Sequence, residues 1–230
     1  MLDENNGLEI VPEISETVVP GEGENGVAPG EEPQPEDLIF YMVTLAEEKP
    51  MVQTPIARLL MRPDSFIEGS SGSDRLVGDN RSNGISGLAG NDVLLGLGST
   101  DMISGDQGND RIFGGAGGDL LYGGIGDDVI RGGAGDDYLQ GDGGRDRLKG
   151  DAGADQFAIQ KGKGTDIVLD YMDGQDKLAT FNVNAEQLSF VQQGSNTLIK
   201  LNNETLAVLK NVRASVITVD DFVIPLPAVI

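Results

Sequence analysis

Gly123-Gly124-Ile125-Gly126-Asp127-Asp128-Val129-Ile130-Arg131 is followed at once by Gly132-Gly133-Ala134-Gly135-Asp136-Asp137-Tyr138-Leu139-Gln140. The phase of these two nonapeptides holds in both directions, so that a nine-residue period runs ten times without a gap over residues 69–158. Position one is Gly in all ten copies: Gly69, Gly78, Gly87, Gly96, Gly105, Gly114, Gly123, Gly132, Gly141 and Gly150. Position four is Gly in eight: Gly72, Gly90, Gly108, Gly117, Gly126, Gly135, Gly144 and Gly153, interrupted by Arg81 and Ser99. Position six is Asp in nine: Asp74, Asp92, Asp101, Asp110, Asp119, Asp128, Asp137, Asp146 and Asp155, with Asn83 as the exception. Position eight is large and apolar throughout, from Leu76 and Ile85 to Leu148 and Phe157. A fixed period of this kind is the signature of a stacked repeat architecture.

Each unit divides into a Gly-rich turn of six residues and a three-residue strand such as Val129-Ile130-Arg131, with one apolar side chain pointing inward. Nine residues make half a coil, and two repeats make one turn of a solenoid. Strands of successive coils then stack in parallel about 4.8 Å apart. The position-eight side chains fill the space between two such sheets, which no single repeat could bury alone. The expected fold class is all-β: a parallel β-roll, a right-handed β-solenoid of nine-residue half-coils. Glycine supplies the positive φ and the close approach between coils that the turns need.

In this geometry repeat n lies over repeat n+2, so Asp110 sits beside Asp92 and Asp128. Carboxylates about 5 Å apart repel by roughly 1 kcal/mol in water and by more at lower dielectric. A ladder of them opposes its own fold unless a cation lies between the rungs. Two carboxylates and turn carbonyls, assigned to the eight position-four glycines, offer an all-oxygen shell. That suits Ca²⁺ better than Zn²⁺ or Mg²⁺. The competing reading is that each Asp only caps its own turn, as Asx residues often do.

These columns resemble the RTX, or hemolysin-type, calcium-binding repeats, whose nonapeptide is Gly-Gly-x-Gly-x-Asp-x-apolar-x. The resemblance covers residues 69–158 and extends less tightly over Gly164–Tyr171 and Asp173–Leu178, which look like the segment that closes such rolls. The C-terminal part looks most like secreted calcium-binding proteins of this type from cyanobacteria. The resemblance implies a parallel β-roll, calcium between its turns, an extracellular location, and export by a type I ABC transporter that reads an uncleaved C-terminal signal. Of eight inter-coil pairings, six are expected to hold calcium: 74/92, 92/110, 110/128, 128/146, 119/137 and 137/155. The pairing of Asn83 with Asp101 is expected to be dead, and that of Asp101 with Asp119 weakened. Asp166, Asp170, Asp173 and Asp176 are candidates for further sites beyond the last repeat.

Composition narrows the functions that remain. The chain has 230 residues, 38 acidic and 16 basic, no His and no Cys, for a net charge of −22. The missing His and Cys exclude zinc fingers, a Cys nucleophile, a Ser-His-Asp triad and disulfides. The negative charge repels phosphate backbones, so no nucleic-acid partner is expected. With 7 Phe, 4 Tyr and no Trp, an aromatic-rich core is not expected either.

The flanks differ from the repeats. Residues 1–37 carry no Lys or Arg and five Pro, and read as a disordered acidic tail. Residues 38–68 are more apolar and read as a docking or cap segment, with a short helix over Ile56–Met61 closed by Pro63. Residues 159–230 read as a β-rich cap that holds a possible export signal, with strands over Gln187–Gln192, Thr197–Leu201, Leu206–Leu209 and Ser215–Val219. Ile217, Phe222 and Val223 are expected to pack on the roll, and the apolar end 223–230 to be mobile. The Met-Leu-Asp-Glu start has no basic and apolar stretch of a cleavable signal peptide, and no apolar run is long enough to span a membrane.

The expectation is a monomeric, non-enzymatic, secreted or cell-surface protein that folds on binding calcium, with a cell-surface or matrix polysaccharide as the candidate macromolecular partner. The alternative is an accessory module or small enzyme acting on extracellular polysaccharide. A pore-forming toxin would need a longer apolar region than residues 38–62 supply.

Overall fold

In the computed structural model, residues 65–181 and 183–223 are described. The chain divides at residue 46, and the described residues all belong to the unit from 47 to 230. The expected acidic tail, the helix over 56–61 and the apolar end from 224 onward lie outside the described residues.

The described chain is all-β, with no α-helix among the described residues. Successive strands alternate between two sheets. One runs in the order β1 (Ser65–Glu68), β3 (Asn83–Ser86), β5 (Met102–Gln107), β7 (Leu120–Ile125), β9 (Tyr138–Gly143), β11 (Gln156–Gln160), β13 (Lys177–Phe181) and β17 (Phe222–Val223). The other contains β2 (Arg75–Val77), β4 (Val93–Gly98), β6 (Arg111–Ala116), β8 (Val129–Ala134) and β10 (Arg147–Ala152). Pairing within the roll is parallel and in register, with each residue opposite the one 18 places on, as in Leu76, Leu94, Ile112, Ile130 and Leu148. The facing file is Ile67, Ile85, Ile103, Leu121, Leu139 and Phe157.

These position-eight side chains are the core: from Ile85 to Phe157 each is at most 2% exposed. The apolar column therefore does what the sequence requires of it. The division of each repeat is different from expectation. From β4 to β10 the strands are six residues long, as in Val129–Ala134, and run through positions seven to nine into positions one to three of the next repeat. Only positions four to six form the turn. Pairing between stacked coils continues into the Gly-rich half (Gly115 opposite Gly133, for example), because glycine places no side chain against the neighbouring backbone.

The roll continues beyond the repeats. β12 (Asp166–Val168) extends one sheet beside β10, and β13 (Lys177–Phe181) extends the other. An antiparallel meander of β14 (Leu188–Gln193), β15 (Asn196–Leu201) and β16 (Glu204–Leu209) then joins the sheet of β10 and β12 by pairing β16 with β12. Three of the four C-terminal strands thus lie where the alternation put them. The fourth does not: over 214–221 the chain makes two 3-10 turns, Ala214–Val216 and Val219–Asp221, the latter closed by a Thr218 capping box. Ile217 is buried between them, and Phe222 stacks on Phe190 at 5.7 Å in β17 (Phe222–Val223).

Candidate metal centre: two ladders of buried aspartate

Position six is the last turn residue before the strand, so its side chain lies within the stack of turns. Along one edge the main-chain N–H of Asp74 donates to Oδ1 of Asp92 at 2.7 Å. That of Asp92 donates to Asp110 at 2.7 Å, Asp110 to Asp128 at 2.7 Å, and Asp128 to Asp146 at 2.8 Å. Along the other edge Asn83 donates to Asp101 at 2.7 Å, Asp101 to Asp119 at 2.8 Å, Asp119 to Asp137 at 2.8 Å, and Asp137 to Asp155 at 3.0 Å. The carbonyl of each rung accepts from the strand of the next coil, as Val129 N–H to Asp110 at 2.9 Å. Every main-chain group of a rung is thereby satisfied, and so is one carboxylate oxygen.

The other oxygen is not. Oδ2 of Asp92, Asp101, Asp110, Asp119, Asp128, Asp137 and Asp146 is buried without a hydrogen-bond partner, and each of these residues is at most 2% exposed. It points at the position-one glycine of its own repeat. A Cβ on Gly105 would collide with Oδ2 of Asp110 and lie 2.6 Å from the carbonyl oxygen of Gly123 in the next coil. The same holds from Gly87 to Gly123, so the invariance of position one comes from the space this oxygen occupies.

The two ends of the ladders are closed by different contacts. At the first rungs Ser70 N–H donates to Oδ2 of Asp74 at 2.6 Å, and Asp79 N–H donates to Oδ1 of Asn83 at 2.7 Å. There the turn-capping reading is right, and only there among the ten repeats. At the far end Asp146 N–H reaches Oδ1 of Asp166 at 3.2 Å, and Asp155 N–H reaches Oδ1 of Asp176 at 3.0 Å. Oδ2 of Asp176 accepts from Met172 N–H at 2.7 Å. Asp170 accepts from Gly150 and Asp151 N–H instead, and Asp173 is exposed. Of the four extra candidates, then, Asp166 and Asp176 continue the ladders.

The position-four glycines sit at the turn tips. Gly90, Gly108, Gly117, Gly126, Gly135, Gly144 and Gly153 all have positive φ, between +125° and +153°, and Gly72 alone does not. The carbonyl of each of Gly90, Gly108, Gly117, Gly126 and Gly135 occupies the place of a Cβ on the glycine one coil on. Ser99 adopts φ +69° despite its side chain.

Burial is the main electrostatic fact. It pushes the carboxyls of Asp101, Asp110, Asp119 and Asp155 up to about 6, and those of Asp128 and Asp137 to about 7, against the ordinary 3.8. The main-chain N–H bond opposes this, and the neighbouring rungs add to it. Desolvation therefore outweighs the mutual repulsion expected from the sequence. Asp92, Asp146, Asp166 and Asp176 are raised for the same first reason. A buried carboxylate oxygen without a partner is costly. A hard cation bound by oxygen removes that cost, so the residues present fit calcium. Among the described residues no three carboxylates come close enough to chelate one ion, so main-chain carbonyls would have to complete the shell.

Sequence reasoning missed a second strap at position five. Asn109 N–H donates to Oδ1 of Asn91, Asp127 N–H to Oδ1 of Asn109, and Arg145 N–H to Oδ1 of Asp127, at 2.7 to 2.9 Å and on the exposed side of the turn. The recurrence of Asn or Asp every 18 residues was the signal.

Residues 68–103, 86–121, 95–130 and 122–157 each match the RTX calcium-binding nonapeptide repeat family. Residues 68–157 are RTX repeats. Such repeats imply calcium binding. Among solved structures, the chain is similar to the extracellular lipase LipA from Serratia marcescens, with 18% identity and a TM-score of 0.35. That match covers 70% of this chain, and the chain spans 40% of the lipase. It is also similar to the R3 subunit of the mannuronan C5-epimerase AlgE6 from Azotobacter vinelandii, with 23% identity and a TM-score of 0.35, covering 76% of this chain and 86% of that one. No curated protein sequence matches the chain. Among the described residues no helix is long and apolar enough to cross a membrane.

Proposed function

We propose that the chain is a secreted, non-enzymatic calcium-binding protein whose roll is held together by ions between its coils. The observation that carries this reading is the row of seven buried, partnerless Asp Oδ2 atoms. The ligands would be the rungs Asp74 to Asp155, joined in each ladder by carbonyls of the position-four glycines. Bound calcium supplies positive charge where burial has removed water. The chain's own residues do the rest: the Oδ1 straps fix the carboxylates, the position-one glycines leave room for Oδ2, and the apolar files exclude water. About six sites are expected, at the pairings named from the sequence, and up to eight if the first rungs of the second ladder bind.

Folding is then linked to calcium. In calcium-poor cytosol the charged ladder keeps the roll loose enough for a type I exporter, and millimolar calcium outside folds it. Residues 69–158 would be the folding unit and 159–230 its cap, with the export signal within the cap. Isothermal titration with calcium tests the sites, and circular dichroism with and without EGTA tests the switch. Absence of heat on titration sinks the binding, and an unchanged β spectrum in EGTA sinks the linkage to folding.

A further inference from the structure

The outer face of the sheet that carries β2, β4, β6, β8 and β10 is basic, on a chain of net charge −22. Strand alternation points positions seven and nine outward. The register lines up Arg75, Val93, Arg111, Val129 and Arg147 in one file, and Leu95, Phe113, Arg131 and Lys149 in the next. Five of the seven basic residues in 69–158 stand on this face: Arg75, Arg111, Arg131, Arg147 and Lys149. Arg131 and Lys149 both pair with Asp151. Arg75, Arg111 and Arg147 are exposed and have no acidic partner among the described residues. They recur on every second strand, so their stems are about 10 Å apart, with a valine between each pair. Beside them Phe113, Arg131 and Asp151 wall a shallow depression of about 300 Å³ floored by Gly115 and Gly133.

We propose that this face binds a linear acidic glycan running along the stack of coils. Two linked pyranose rings match the distance between successive unpaired arginines. Carboxylates on alternate sugars would then meet Arg75, Arg111 and Arg147, guanidinium fork to carboxylate. The apolar faces of the intervening rings lie on Val93 and Val129, and a ring edge fits the depression against Phe113. A valine between each pair of arginines suits a polymer with uncharged surface between its acids better than a phosphate backbone. The inference rests on the calcium-held roll of the preceding section. The ions also lower the overall negative charge that would repel such a glycan.

The test uses the full chain in fixed millimolar calcium, with a short non-gelling oligouronate as probe. Binding that weakens with added salt, and that falls at least tenfold in the double variant Arg111→Gln/Arg147→Gln, is the expected result. Circular dichroism and calcium titration of the same variant should match the unaltered chain. The off-face variant Arg145→Gln should bind normally. If the double variant fails to fold, the single exposed change Arg111→Gln is measured instead, and a loss of about threefold is expected. Equal binding by all variants overturns the proposal, as does tighter binding of a single-stranded oligonucleotide or of anionic vesicles. A chain that folds with calcium but ignores the glycan overturns this inference alone, whereas one that ignores calcium overturns the reading beneath it.

Discussion

Asn83 stands at position six where the other nine repeats have aspartate, and the structure shows what the exchange does. Its amide nitrogen donates to Oγ of Ser65 at 2.7 Å and to Oδ1 of Asp79 at 3.2 Å, the second a contact that an ionised carboxylate could not make. An amide therefore satisfies a rung without an ion. Asp119→Asn should then act with opposite sign in two conditions. Without calcium at pH 7 it removes a buried charge whose carboxyl has moved from 3.8 to about 6, and should stabilise the roll by about 1–3 kcal/mol. With calcium it removes a ligand and should weaken binding; chemical denaturation in EGTA and in calcium reads both. The same shifts set the pH dependence of the calcium-free chain. The folded rungs hold protons more tightly than unfolded ones, so their contribution is complete below about 4 and is lost as pH rises through 6 to 7. Thermal melts in EGTA should therefore fall from pH 5 to pH 8, and a rise would refute the assignment. Calcium affinity should move the other way and weaken below about pH 6. Gly105→Ala places a methyl group against the Asp110 carboxylate and the Gly123 carbonyl. It should cost about 1–3 kcal/mol through crowding and raise the calcium midpoint.

Among the strand and turn elements, position two carries strain that the sequence did not advertise. From Leu88 to Asp151 every position-two residue has positive φ, whether glycine or not: Leu88, Leu97, Asp106, Asp142 and Asp151 adopt 65° to 85°. Leu97 is 44% exposed, so its side chain contributes little packing. Leu97→Gly should stabilise the folded chain by about 0.5–1 kcal/mol, the left-handed penalty less the entropy glycine adds to the unfolded state; a lower melting temperature would contradict this. The apolar column at position eight and the Asp column at position six were legible because every copy repeats them in phase. The ladder ends were harder to read. Asp166 and Asp176 join at separations of 20 and 21 residues rather than 18, because short loops absorb the extra residues while the strands keep their register. The six-residue strands were hidden because glycine favours turns in isolation, and only stacking recruits it into a sheet. Ser215–Val219 has strand-like composition, yet Ile217 alone is buried there and the capping box of Thr218 with Asp221 turns the chain.

On the scale of the whole molecule, each coil is held by the coils on either side, so loss of ions should be felt along the stack rather than site by site. At tenfold saturation each site contributes about 1.4 kcal/mol, and six contribute about 8 kcal/mol, comparable to a domain's entire stability. Chelation should therefore produce one cooperative transition, and calorimetry showing separate steps would argue against coupled sites. The two sheets also fix how the molecule can change length. Opposed residues in the repeats are 18 apart, so excising residues 105–122 keeps every later strand in its own sheet. Excising only 105–113 sends each later strand to the opposite sheet and brings the closing meander to the wrong side of the roll. The first deletion should fold and the second should not, which makes the double repeat the smallest step by which such a protein can grow or shrink.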